Sequence, residues 1–90
     1  MIENEIRSRL ERNLNIHHLD VVNESYKHVG HAGDNGTGQT HFKLTVVSDD
    51  FVGCNRIQRQ RKIYDLLSDL FDQGMHALSI DATDIKEFSA

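Results

Sequence analysis

Among its 90 residues the chain has one cysteine and neither proline nor tryptophan, and each shortage narrows what the protein can be. A single thiol, Cys54, forbids an intramolecular disulfide and fits a reducing compartment. With no cysteine pair and no His-x-x-x-His on a helix, a zinc site closed by this chain alone is not expected. No apolar run approaches the ~18 residues of a membrane span, and the opening MIENEIRSRLERN lacks the apolar block of a signal peptide. A soluble cytoplasmic protein is expected, so the glycosylation sequons at Asn23-Glu24-Ser25 and Asn35-Gly36-Thr37 carry no weight.

One small domain spanning residues 1–90 fits this length. A domain this small buries only about 60% of the surface its unfolded chain exposes, which leaves little room for an enclosed catalytic cavity beside a core. A free-standing enzyme is therefore not expected. Ten basic against fourteen acidic residues give a net charge of −4, and protonating all six histidines would carry it to +2. The sign of the molecule thus depends on pH near the histidine range. Four cations, Arg56, Arg59, Arg61 and Lys62, lie within seven residues that contain no acid, and the remainder carries −8. Such a spot can meet phosphates or an acidic partner, or be a solvated helix face.

Ile2, Ile6, Leu10 and Leu14 recur every four residues and predict a first amphipathic helix over 2–13. Strands are expected from Leu19 to Tyr26 and from His41 to Val47, the second with Phe42, Leu44 and Val46 facing the core. Between them VGHAGDNGTGQ, with four glycines, reads as a long hairpin loop. A second helix is predicted from about Asn55, its N-cap, to Asp72, with Ile57, Ile63, Tyr64, Leu67, Leu70 and Phe71 on one stripe. Gln60 falls near the middle of that stripe and requires a hydrogen-bond partner or exposure. Gly74 closes the helix, Met75 to Ala82 forms a third strand with Leu78 and Ile80 inward, and Asp84 to Phe88 adds a last helical turn. The order α-β-β-α-β-α predicts an α+β fold, a three-stranded sheet with helices packed on one face.

Most motifs of the chain carry weak chemistry. GDNGTG resembles a phosphate loop, but no Gly-Lys-Ser/Thr follows and it joins two strands. Cys54 is either a redox thiol near Arg56 or a small residue filling a turn. Ser, His and Asp are present without any spacing that makes a triad converge. The histidines say more. His28, His31 and His41 gather in and around the hairpin loop and His76 opens the third strand. Imidazole suits iron, zinc and copper, so one loop histidine and one strand histidine supply two ligands, the others coming from a second molecule. The plainer alternative makes His76 a strand-end residue satisfied by a backbone group, His41 a solvent-facing strand residue, and His17 and His18 linker residues.

The stretches VVNESYKH, THFKLTVVSDDFVG, RIQRQRKIYDLL and MHALSIDATDIKEF resemble, in order and spacing, the successive motifs of the BolA family, and the match covers essentially the whole chain. The resemblance implies a class II KH-like fold. It also implies a non-enzymatic partner of monothiol glutaredoxins that shares a [2Fe-2S] cluster with them, in cluster assembly or transfer and in iron homeostasis. The family's strand histidine matches His76 in Met75-His76-Ala77-Leu78, which gives it the role of cluster ligand. The E-S-x-x-H spacing places the second ligand on His28, with His31 a close substitute. The glutaredoxin supplies a cysteine and glutathione for the other iron, and the isolated chain, a monomer or weak dimer, is expected to hold no cofactor. Bacterial members are also described as DNA-binding transcriptional regulators, and the alternative partner is DNA, bound through Arg56, Arg59, Arg61 and Lys62. One departure stands out: where the family usually reads Arg-His-Arg, this chain has Arg59-Gln60-Arg61.

Overall fold

The computed structural model describes residues 1–28 and 38–89, with the side chains of Lys27 and His28 outside the description. The elements run α1 (Ile2–Asn13), β1 (Ile16–Asn23), a 3-10 turn (Ser25–His28), β2 (His41–Ser48), a second 3-10 turn (Asp49–Phe51), α2 (Arg56–Leu67), a 3-10 extension (Ser68–Gln73), β3 (Ala77–Thr83) and α3 (Ile85–Ser89). The expected α-β-β-α-β-α order is present. β2 is the central strand, antiparallel to β1 and parallel to β3. Antiparallel neighbours need only a loop, whereas the parallel pair needs the crossover that α2 provides.

Ile2, Ile6 and Leu10 form the buried stripe of α1 and meet Ile63, Leu67 and Leu70 over the face of the sheet that carries Phe42, Leu44 and Val46. Each such side chain contributes about 1.5–3 kcal/mol through burial. Arg9 fastens this layer from outside: it donates to both carboxylate oxygens of Asp69 and to the Leu66 carbonyl oxygen at 3.2 Å. β2 has a neighbouring strand on each edge, and on the side opposite Val46 its burial is uneven: Val47 is fully buried and Lys43 is exposed. The short α3 lies toward that side, where Phe88 stacks on His18, the Cα partner of Val47.

Local chemistry sets the boundaries. Asn55 caps α2 reciprocally with Gln58: Gln58 N donates to Asn55 Oδ1 at 2.8 Å and Asn55 N to Gln58 Oε1 at 2.9 Å. Gly74, at φ 111°, ends the extension in a left-handed conformation that favours glycine. Three expectations are corrected. The α-helix ends at Leu67, and the rest of the predicted span to Asp72 continues as a tighter 3-10 extension. β1 starts at Ile16 instead of Leu19, so His17 and His18 are strand residues whose Nε2 atoms face Asp49 at 2.8 Å and Asp20 at 2.9 Å. Ile57 is 63% exposed, because the buried face of α2 runs through Ile63 and Leu67 and leaves its first turn outside the core.

β3 is an edge strand, and its outer edge is roofed. The Ala77 N–H points to β2, donating to Thr40 O at 3.0 Å, so the alternate residues Leu78, Ile80 and Ala82 turn their carbonyls outward. Three side chains of α2 donate to them: Tyr64 Oη to Leu78 O at 3.3 Å, Gln60 Nε2 to Ile80 O at 3.3 Å and Arg59 Nη1 to Ala82 O at 3.0 Å. Gln60 thereby finds the partner that its place on the helix demanded. Among the described residues no helix is long and apolar enough to cross a membrane.

Candidate functional site

The candidate site is at the end of the sheet where β2 and β3 begin. Met75, 2% exposed, anchors the chain in the core just after the Gly74 turn. The next two N–H groups, of His76 and Ala77, both donate to Thr40 O, at 2.7 and 3.0 Å. His76 therefore sits one residue ahead of β3 with its backbone fixed and its side chain exposed. The imidazole remains at the surface.

His41 starts β2 directly opposite Ala77. It was expected to face solvent; it is 7% exposed instead, because it packs beside the His76 ring and the buried Thr40 side chain. Its ring centroid lies 5.3 Å from that of His76, with the planes tilted by 45°. Its Nδ1 is 2.7 Å from Thr40 Oγ1, a fully buried hydroxyl.

Ser25 holds this corner to the start of the hairpin loop. Its Oγ accepts the N–H groups of Thr40 and His41, at 2.9 and 3.0 Å. The Asn23 side chain bridges the same junction, accepting from Ser25 N at 3.0 Å and donating to Gly38 O at 2.7 Å. His28 ends the 3-10 turn that Ser25 begins, so its backbone is tied to this corner; its side chain lies outside the description, as does His31 altogether. His41 was named among the loop histidines, but Ser25 and Thr40 were not singled out in the sequence. The signal was present in the paired stretches ESYKH and THF, whose serine, threonine and histidine form one hydrogen-bonded unit across the loop.

The basic segment occupies the opposite end of β3. Arg56, Arg61 and Lys62 are exposed. Arg59 was expected to stand with them and is turned inward instead, its side chain 12% exposed. It donates through Nε to Cys54 O at 2.9 Å and through Nη1 to Ala82 O, and its Nη2 meets Glu87 Oε1 at 2.6 Å. The hydrogen bond from Arg59 is the first cause that holds the Glu87 carboxyl below its ordinary range, and the same contact raises the Arg59 guanidinium. Asp84 and Glu87 cap α3 reciprocally, Glu87 N donating to Asp84 Oδ1 at 2.8 Å, so Arg59 is part of the seat of that helix. A groove of about 600 Å³ runs past Cys54, Arg56, Arg59, Gln60, Asp81 and Glu87. Cys54 occupies the turn between Gly53 and the Asn55 cap, half-buried, with Sγ 3.7 Å from Asp50 O.

Residues 10–87 match the family model described as BolA-like protein. The chain is 48% identical over 81 residues to SufE-like protein 1, chloroplastic/mitochondrial, of Arabidopsis thaliana, covering 86% of this chain but only 22% of that longer relative. It is 36% identical over 88 residues to the DNA-binding transcriptional regulator BolA of Escherichia coli, covering 98% of this chain and 80% of the relative. Among solved structures, BolA1 from Arabidopsis thaliana superposes with a TM-score of 0.84 at 33% identity, over 97% of this chain and 95% of that one. A family model that spans most of the chain, a relative that it matches over four-fifths of that relative's length, and the shared fold together show that the chain belongs to the BolA family.

Proposed function

We propose that this BolA-family chain catalyses no reaction itself and serves as the partner of a monothiol glutaredoxin, sharing a [2Fe-2S] cluster with it in iron–sulfur cluster assembly, transfer or iron homeostasis. The observation that supports this reading best is the exposed His76 imidazole on a backbone pinned twice to Thr40 O. A neutral imidazole is a competent iron ligand, and a ligand whose main chain is already fixed loses little freedom on binding. The family resemblance gives His28 as the second ligand, with His31 as its substitute, and the turn that ends at His28 begins at Ser25 in the same corner; the partner's cysteine and glutathione complete the other iron. Bound between the two proteins, the cluster supplies the iron and sulfide that are passed on. Mixing the chain with cluster-loaded glutaredoxin should change the visible spectrum as imidazole replaces a thiolate, and His76→Ala should abolish that change. An unchanged spectrum with His76→Ala would overturn the assignment.

A second reading, DNA binding, draws on the regulator name of the Escherichia coli relative and on the exposed Arg56, Arg61 and Lys62. With Arg59 engaged inside the fold and −8 on the rest of the chain, contact is limited to about two or three phosphates, which corresponds to a slope of log K against log salt of about −2 to −3. A slope near −8 would favour the regulator.

A further inference from the structure

We infer that the outer face of α2, from Arg56 to Asp65, docks an acidic amphipathic helix of a partner protein, at a surface separate from the His76 corner. The inference goes beyond cluster sharing and does not depend on it.

The shape of the face points to a helix. A groove of about 490 Å³ is lined by Arg56, Ile57, Gln60, Arg61, Tyr64 and Asp65. These side chains make two neighbouring rows at i, i+4 spacing, Arg56-Gln60-Tyr64 and Ile57-Arg61-Asp65. Rows of this kind are the ridges between which a second helix seats a ridge of its own, commonly crossing at about −50°. The seat is about 14 Å long, between two and three helical turns. One wall is already fixed: Gln60 Nε2 and Tyr64 Oη donate to Ile80 O and Leu78 O, and the Tyr64 ring stacks on Phe71 with centroids 6.0 Å apart. A partner therefore has little to order on that side. An extended strand fits less well, because the β3 carbonyls it would pair with are held by these donors.

Charge selects the occupant. The exposed Ile57 lies among Arg56, Arg61 and Lys62, all exposed, and Asp65 is the one acid lining the groove. A single exposed isoleucine is ordinary on a protein surface, but one set between two ridges and flanked by cations is a seat for an aliphatic anchor with carboxylates beside it. Val52, in the turn before α2, adds exposed apolar surface at the same end. Nucleic acid suits this face less: Ile57 offers nothing to a phosphate, and Asp65 repels it. A second copy meeting the groove antiparallel about a two-fold axis would set Arg61 against its own symmetry mate and Ile57 against Asp65.

The test titrates the full-length chain with a synthetic helical peptide of about 18 residues, long enough to hold a helix, with leucines at i, i+4 spacing and glutamates beside them. Binding should saturate below millimolar peptide, and the backbone amide shifts should gather between residues 56 and 65. Ile57→Ser should weaken binding by about tenfold. Arg56→Glu combined with Arg61→Glu should reverse the preference, so that a peptide with lysines in place of glutamates binds this variant better than it binds the unaltered chain. All three positions are exposed, and the amide shifts of the unaltered chain locate the peptide whether or not a variant folds. No saturable binding, shifts centred elsewhere, or an affinity untouched by Ile57→Ser would overturn the inference. Duplex DNA that moves the same amides and binds more tightly than the peptide at the same salt would assign the face to nucleic acid instead. A mixed-cluster spectrum altered by Ile57→Ser would overturn the separation from the His76 corner.

Discussion

At its N-terminal end β3 is preceded by His76, whose main chain is bound and whose ring is exposed; at its C-terminal end it is gripped by Arg59, whose guanidinium reaches two carbonyls and two carboxylates. Both residues belong to motifs that sequence reading marked as functional. The structure separates them by what their polar atoms are occupied with. Arg59 bridges α2, β3 and α3, so its charge works within the fold, whereas the backbone around His76 does the holding and leaves the side chain exposed. A functional side chain on a small domain is thus recognised less by type than by whether the fold has already used it.

The largest perturbation should erase the contrast altogether. Phe51→Ala removes a fully buried ring from the turn that joins β2 to α2, and should cost about 3–5 kcal/mol in urea unfolding, loosening both ends together. Next, Arg59→Ala should cost about 2 kcal/mol, since it strips partners from the Ala82 and Cys54 carbonyls, while His76→Ala should cost less than about 0.5 kcal/mol. Equal losses for the two would break the comparison.

A smaller effect concerns acid. The Glu87 carboxyl is held below its ordinary value of 4.5 in the folded protein, first by Arg59, so the unfolded chain takes up that proton more readily. The stabilisation is complete above about pH 4.5 and disappears as pH falls through the lowered folded value. Glu87→Gln should therefore flatten the acid limb of a pH–stability curve relative to the unaltered chain; Asp50 and Asp69, also held low, keep the remaining slope. The smallest change is expected of Gln60→His. A ring N–H can replace the amide donor facing Ile80 O, so stability should shift by no more than about 0.5 kcal/mol and the mixed-cluster spectrum should not change.

Elements defined by local pattern were legible in the sequence. The four-residue recurrence of Ile2, Ile6 and Leu10, the Asn55 cap and the Gly74 stop act within a few residues of themselves, and the structure places each as expected. Features set by distant partners were not. Nothing near Arg59 announces Glu87, which lies on another helix, and His17 and His18 read as linker because two polar residues conceal a strand start whose pairing with β2 is nonlocal. His41 illustrates the limit most clearly: alternation with Phe42 put it on the opposite face correctly, but His41 is buried while Lys43 on the same face is exposed, because His41 packs beside His76 and Thr40. His76 was legible through the family motif, and its approach to His41, 35 positions earlier, was not.

The three donors that α2 lays along β3 also bear on how copies of this chain treat one another in a crowded solution. A strand edge bearing Leu78 and Ile80 would otherwise offer a template for growth into ribbons and fibres. Here an arriving strand must first evict a tyrosine, a glutamine and an arginine from the carbonyls it needs, and the arginine is further restrained by its carboxylate partners. Because that guard is mounted on the crossover helix, it arrives only with α2: a nascent or partly unfolded chain with α2 undocked is the species that would seed aggregation.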